Sequence, residues 1–167
     1  MRLAELQEAL VAACDVPITV PYHLATRVHF LLGGEEPVYV DVSLDLGDDT
    51  VSGNAVVLTE RRVIDARLKG TPRDLESRTE RGPTVHVTTW SRKRLERLAI
   101  HRGDDIRMND DYDWSRDYGD QWPGLGQLSL HYGAGLDELR LPLAPLIDAS
   151  RREAFARLVR SLVADLD

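Results

Sequence analysis

Gly53-Asn54-Ala55-Val56-Val57-Leu58-Thr59-Glu60-Arg61-Arg62-Val63-Ile64-Asp65-Ala66-Arg67-Leu68 is the stretch that decides the fold. Apolar residues run up to Leu58, the polar Thr59-Glu60-Arg61-Arg62 intervenes, and apolar residues resume at Val63. That pattern predicts two short β-strands joined by a tight polar turn. Side chains alternate along a strand, so Ile64, Ala66 and Leu68 share one face of the second strand and Val63, Asp65 and Arg67 the other.

Working outward, Pro37 to Leu46 alternates in the same way. Val38, Val40, Val42, Leu44 and Leu46 fall on one face, opposite Tyr39, Asp41, Ser43 and Asp45, which predicts a half-buried strand. Gly47-Asp48-Asp49 reads as a turn. Further upstream, Leu3, Leu6, Leu10 and Ala13 recur at helical spacing, and Val16-Pro17 and Val20-Pro21 end that helix. Residues 15–25 read as a linker, and from Thr26 the alternation of Val28, Phe30 and Leu32 reads as extended chain until Gly33-Gly34 breaks it.

Downstream, residues 69–83 read as an exposed loop and Thr84 to Trp90 as a strand. Arg94 to His101 reads as a turn running into a strand, and 103–124 as a second loop. Leu125 to Tyr132 and Leu136 to Leu143 read as a final strand pair joined across Gly133-Ala134-Gly135. The chain closes with a helix from Ser150 to Leu166. Ser150 and Glu153 stand at capping-box spacing, and Phe155, Leu158, Val159, Leu162, Val163 and Leu166 make an apolar stripe. The organisation predicted is an N-terminal helix and linker (1–25) and a strand-rich domain with a C-terminal capping helix (26–167). The fold class is α+β, mainly β: a curved antiparallel sheet or partly open barrel.

Hydrophobic residues make up 43% of the 167 and charged residues 29%, enough apolar surface for a core and too balanced for a disordered chain. No apolar run approaches the roughly 18 residues that span a bilayer, so no stable membrane insertion is expected. The acidic opening Met1-Arg2-Leu3-Ala4-Glu5 does not fit a signal peptide, and the single Cys14 cannot make an intrachain disulfide, which points to the cytoplasm. Cys14 itself reads as a small apolar residue near a helix end. The net charge of −7 is uneven: residues 61–107 hold 13 Lys/Arg against 7 Asp/Glu, and the remainder 8 against 21. An acidic chain with a basic middle does not fit nucleic acid as a partner but can offer one basic face to an acidic protein.

Several groups of residues are candidates for function. Arg61 and Arg62 at the hairpin turn could contact an anion or simply be solvated beside Thr59. Arg92, Lys93, Arg94 and Arg97 form a basic patch that could meet a partner or pair with nearby carboxylates. Tyr112, Trp114, Tyr118 and Trp122 crowd one aspartate-rich loop, as a binding loop or as a lid folded over the barrel mouth. Asp104, Asp105, Asp110, Asp111, Asp113, Asp117 and Asp120 invite a calcium reading. An EF-hand starting at Asp111 would need Gly and Glu where Arg116 and Trp122 stand, so that motif fails. The five histidines lack metal-ligand spacing, no serine has a Gly-x-Ser-x-Gly setting, and no phosphate loop or dinucleotide fingerprint occurs. No metal, cofactor or catalytic residue is expected.

The hairpin Val57-Leu58-Thr59-Glu60-Arg61-Arg62-Val63-Ile64 resembles that of bacterial PH-like (pleckstrin-homology-like) domains, and Gly34-Glu35-Glu36-Pro37-Val38 resembles their acidic opening. Arg94 to Ile100, Leu139-Arg140-Leu141-Pro142-Leu143 and the helix with Phe155 and Leu158 are similar to the later part of the family. The likeness covers residues 26 to 166; the N-terminal helix and the loop 104–120 depart from it. It implies a curved seven-stranded sheet capped by the C-terminal helix and no common activity, with some members forming homo-oligomers. A phosphoinositide-binding member would carry basic early loops, where this chain has Glu35, Glu36, Asp48 and Asp49.

The function expected is therefore a non-catalytic interaction or scaffold module with a protein partner, self-assembly included. An alternative is a small-molecule or lipid carrier, its cavity walled by the apolar faces of Val38–Leu46 and Phe155–Val163. A weaker one is a hydrolase or isomerase with His29, Asp41 or His131 pointing inward.

Overall fold

The computed structural model describes residues 1–14, 19–72, 84–102, 122, 126–146 and 148–166. In chain order the elements are α1 (Leu3–Ala12), α2 (Tyr22–Leu32), β1 (Tyr39–Leu46), β2 (Thr50–Leu58), β3 (Arg62–Pro72) and β4 (Val85–Ser91). A 3-10 turn (Arg92–Arg94) precedes β5 (Arg97–Arg102), β6 (Gly126–His131), β7 (Leu139–Leu141) and α3 (Ala149–Ala164). The fold is α+β and mainly strands. The strands form two antiparallel sheets, ordered β1-β2-β3-β4 and β5-β6-β7, with no closed barrel among the described residues. The chain divides into two compact units, Met1–Ser91 and Arg92–Asp167. No helix among the described residues is long and apolar enough to cross a membrane.

In the first unit the alternation read from sequence sets the register. Val57 of β2 faces Val40 of β1 and Ile64 of β3, and Ala55 faces Val42 and Ala66. These side chains, with Leu44, Leu68 and Val85, pack against Leu6 and Leu10 of α1 and Leu24, Ala25, Val28 and Leu32 of α2. Cys14 is partly buried against the same core, and its backbone bridges Val42 on the outer side of β1. The opposite face of this sheet carries the row Asp41–Val56–Asp65–Thr88. Asp41 and Asp65 are both buried. Asp41 accepts a hydrogen bond from Tyr39 Oη (3.2 Å) and Asp65 from Arg67 Nε (3.1 Å), as burial of a carboxylate requires.

Residues 22–32 are a helix, not a linker entering a strand. Leu24, Ala25, Val28 and Leu32 are buried at helical spacing while Phe30 is 83% exposed, so the alternation of Val28, Phe30 and Leu32 was coincidental. Gly33 follows in the left-handed conformation (φ 59°), the usual way for glycine to end a helix. β3 also runs beyond the expected loop boundary: Thr71 is buried and pairs with Val51. Residues 73–83 and most of 103–125 lie outside the described residues.

In the second unit β5 and β6 pair Leu98 with Leu130 and Ile100 with Leu128, and β7 adds Leu139 and Leu141, which makes one sheet face apolar. The other face carries Arg97, His101, Gln127, Ser129, His131 and Arg140. Phe155, Leu158, Val159 and Leu162 of α3 are buried, but Val163 and Leu166 are exposed, so the apolar stripe is narrower than expected. The N-cap is Asp148, not Ser150: its Oδ1 accepts from the amides of Ser150 (2.9 Å) and Arg151 (3.1 Å). A carboxylate at a helix start satisfies two free N–H groups and meets the positive end of the helix dipole, while Glu153 pairs with Arg157 one turn on.

Gly53 marks the irregularity where the β2–β3 register shifts. Its φ is +138°, and a Cβ there would lie 2.2 Å from the Ser43 carbonyl oxygen of β1. Gly53→Ala is expected to destabilise the first unit by about 2–3 kcal/mol, combining an unfavourable φ with a backbone clash. Urea denaturation followed by tryptophan fluorescence and circular dichroism measures it, and an unchanged midpoint would contradict this account of the bulge.

Candidate functional site

The β2–β3 turn gathers the first pair of basic candidates around one carboxylate. Thr59 N donates to the Arg62 carbonyl (3.0 Å), and the Thr59 hydroxyl oxygen accepts from the amides of Arg61 (3.1 Å) and Arg62 (2.9 Å). The threonine side chain thus closes a turn with no positive-φ residue, where the common hairpin turns would need glycine or asparagine. The same hydroxyl donates to Glu35 Oε2 (2.6 Å), just beyond α2. Glu35 Oε1 lies 2.9 Å from Arg62 Nε and 3.4 Å from Arg61 Nε. Arg62 also donates to the Leu31 carbonyl (3.1 Å), covering the negative end of α2.

Glu35 is held below the usual carboxylate range, first by the Thr59 hydroxyl and then by the Arg61 and Arg62 guanidiniums, against the opposing effect of burial. Arg62 is thereby a structural cation. Arg61 differs: its side chain is 76% exposed although its amide is held by Thr59. It stands between two open grooves. One, of about 390 Å³, is lined by Gly33, Gly34, Glu36, Val38 and Glu60. The other, of about 350 Å³, is lined by Arg62, Thr89, Trp90 and Ser91.

The second basic group is divided by its surroundings. Arg92 is 3% exposed; its guanidinium donates to Asp165 Oδ2 (2.9 and 2.7 Å) and to Ser161 Oγ (2.9 Å), tying the 3-10 turn to α3. Lys93, Arg94 and Arg97 remain exposed. Of the aromatic candidates, Trp122 is buried edge-on against Phe155 (centroids 4.8 Å apart) and donates its indole N–H to the Gly126 carbonyl (2.7 Å), as a packed tryptophan does. Tyr112, Trp114 and Tyr118 lie outside the described residues, as do the aspartates from Asp104 to Asp120. Among the described residues no group of three or more His, Cys, Asp or Glu could hold a metal ion.

No local sequence pattern marks the polar network on the second sheet. Ser129 is buried, donates to Glu138 Oε1 (2.9 Å) and lies 2.9 Å from His101 Nε2. Glu138 also accepts from Arg140 Nε (2.7 Å). A carboxylate can only accept, so the single Ser129 proton points to Glu138 and His101 Nε2 must be the donor to Ser129. That proton arrangement does not activate the serine, and Glu138, held low first by Arg140 and then by Ser129, is a weak base. Arg97 lies 3.0 Å from His131 Nε2, and because a guanidinium can only donate, the ring nitrogen is the acceptor in this contact. The positions alternate along β5, β6 and β7, but only the register brings them together.

Of the residues named for an inward-facing enzyme site, His29 and Asp41 lie on different sides of the first sheet. His29 is on α2, which packs against one face of the first sheet, and its ring contacts the Met1 carbonyl (3.2 Å). Asp41 is on the other face, and His131 belongs to the second unit. The apolar face of β1 proposed as a carrier wall is filled by α1 and α2.

Two outcomes follow. Arg92→Ala should cost the second unit about 3 kcal/mol, because Asp165 loses a buried counter-charge; a loss under about 1 kcal/mol in urea denaturation would contradict that role. The folded pKa of Glu35 lies below its unfolded value of about 4.3, so its contribution is present above that value and is lost as pH falls through the folded pKa. Between pH 6 and pH 3 the urea midpoint should fall less for Glu35→Gln than for the parent chain; parallel curves would show that the carboxylate adds nothing.

A scan against protein-family models and searches of the curated proteins and of the solved structures each returned no match.

Proposed function

We propose that the chain is a non-catalytic interaction module of PH-like type that presents the β2–β3 turn and its two grooves to a protein partner, a second copy of the chain included. The observation that carries this reading is Arg61: its amide is held by the Thr59 hydroxyl and its guanidinium is ion-paired with Glu35 (3.4 Å), yet its side chain is 76% exposed between two open grooves. Arginine is favoured at binding hot spots, and a side chain held in place before binding loses less freedom when a partner arrives. Four strands, then three, then a C-terminal helix support the PH-like part of the reading. We place the module in the cytoplasm, because a lone Cys14 makes no demand on an oxidising compartment.

The test places a photo-crosslinking p-benzoylphenylalanine at Glu60, beside Arg61, and in a control chain at Phe30. Adducts of defined mass should form from position 60 and not from 30, and should disappear on adding Arg61→Ala, which should change stability by no more than about 0.5 kcal/mol. An adduct at twice the chain mass identifies a second copy. Identical adducts from both positions, or none from position 60, would contradict the proposal.

A further inference from the structure

The two grooves that flank Arg61 carry opposite charge. The one next to the end of α2 is lined by Glu35, Glu36 and Glu60 against Arg61. The one next to β4 is lined by Arg61 and Arg62 against Glu35, with Thr89, Trp90 and Ser91 completing it. This second groove lies at the end of the first sheet where Arg62 pairs with Ser91. Residues 73–83, outside the described residues, follow Pro72 at the opposite end. Thr89 and Ser91 are exposed and Trp90 is half-buried.

The hydrogen-bonding capacity in the β4 groove is unevenly used. Arg62 pairs with Glu35 through Nε at 2.9 Å and donates to the Leu31 carbonyl. The Thr89 hydroxyl proton goes to the Val63 carbonyl (2.9 Å). Arg61 meets Glu35 through Nε at the longer distance of 3.4 Å. Glu35 itself already accepts from Thr59. The two terminal nitrogens of the Arg61 guanidinium are thus left to grip a carboxylate, whose two oxygens match their spacing. Two guanidiniums against one carboxylate leave the groove short of one negative charge. A single carboxylate makes up that deficit. A phosphate dianion overshoots it beside Glu35, with Glu36 and Glu60 in the neighbouring groove. An open groove also encloses too little of a free small acid, whereas a side chain carried on a protein surface needs one open face only. Tryptophan and arginine are the residue types that anchor such contacts between proteins.

We infer that the groove between Arg61 and Trp90 seats an acidic side chain of a partner protein, its carboxylate held by Arg61 and an adjoining apolar residue resting against Trp90. This depends on the reading of the chain as an interaction module and gives that module's partner a chemistry. Glu60 and Glu36 act on the other side of Arg61, where they repel an anion and so direct it to the β4 groove.

The probe is the tripeptide Leu-Glu-Leu, capped at both ends and titrated into the full chain. The readout is the nuclear magnetic resonance signals of the Arg61 Nε–H and the Trp90 indole N–H. Both signals should move together and saturate. Leu-Gln-Leu, which lacks the charge, should bind about threefold to fivefold more weakly, and that gap should close as salt rises from about 0.05 to 0.5 M. Arg61→Gln should abolish the gap at the Trp90 signal. The two peptides and the salt series on the parent chain keep the test decisive if that variant does not fold. Equal binding of both peptides, or no movement up to the solubility limit of Leu-Glu-Leu, overturns the proposal. Tighter binding of Leu-phosphoserine-Leu, or equal binding of acetate, overturns it in favour of a phosphate or a free acid. Light scattering showing a dimer that Arg61→Gln abolishes overturns it in favour of a second copy. Failure of the peptide with position-60 adducts intact would remove the acidic partner alone; loss of both would remove the module reading as well.

Discussion

One carboxylate joins the helical layer of the first unit to its sheet. Glu35 leaves α2 two residues past its glycine cap and meets Thr59 and Arg62 at the β2–β3 turn, while Arg62 reaches back to the last turn of the helix. The threonine hydroxyl both accepts from two amides and donates to Glu35, which is ion-paired with Arg62. Polar contacts of this kind fix a geometry that apolar packing alone leaves adjustable. The turn can therefore hold an exposed guanidinium in one place without glycine or a disulfide to stiffen it.

The second unit handles its interior charge by another route. Arg92 is enclosed with Asp165 and Ser161, beside Tyr132, whose hydroxyl is made harder to ionise chiefly by its own burial. On the polar sheet face the two histidines stand in different relations: His101 donates to a serine, and His131 accepts from an arginine. The sheet is thus two-sided, with leucines on one side and a hydrogen-bonded network of strong donors and acceptors on the other.

The strands were legible in the sequence because their period is two and their turns are polar; Val57 facing Ile64 follows directly from the quoted hairpin. α2 was not, because Val28 and Leu32 satisfy a helical spacing and, with Phe30 between them, an extended one as well. Only the exposure of Phe30 separates the two. The helix cap moved from Ser150 to Asp148 because both residues can cap, and the backbone chose the carboxylate. Arg61 and Arg62 could be named from sequence, but their partner Glu35 lies 24 positions from Thr59. Arg92 looked like a surface cation because Asp165 is 73 positions away. Charge pairing over such distances is a product of topology, which local pattern does not contain.

The outer edges of β1 and β7 are closed by backbone features, the Cys14 bridge at Val42 and the three-residue length of β7 ahead of Pro142. Screening by salt weakens interactions between charges and leaves such backbone features as they are. Concentrated brine therefore leaves these two edges as poor a template for a second chain as dilute buffer does.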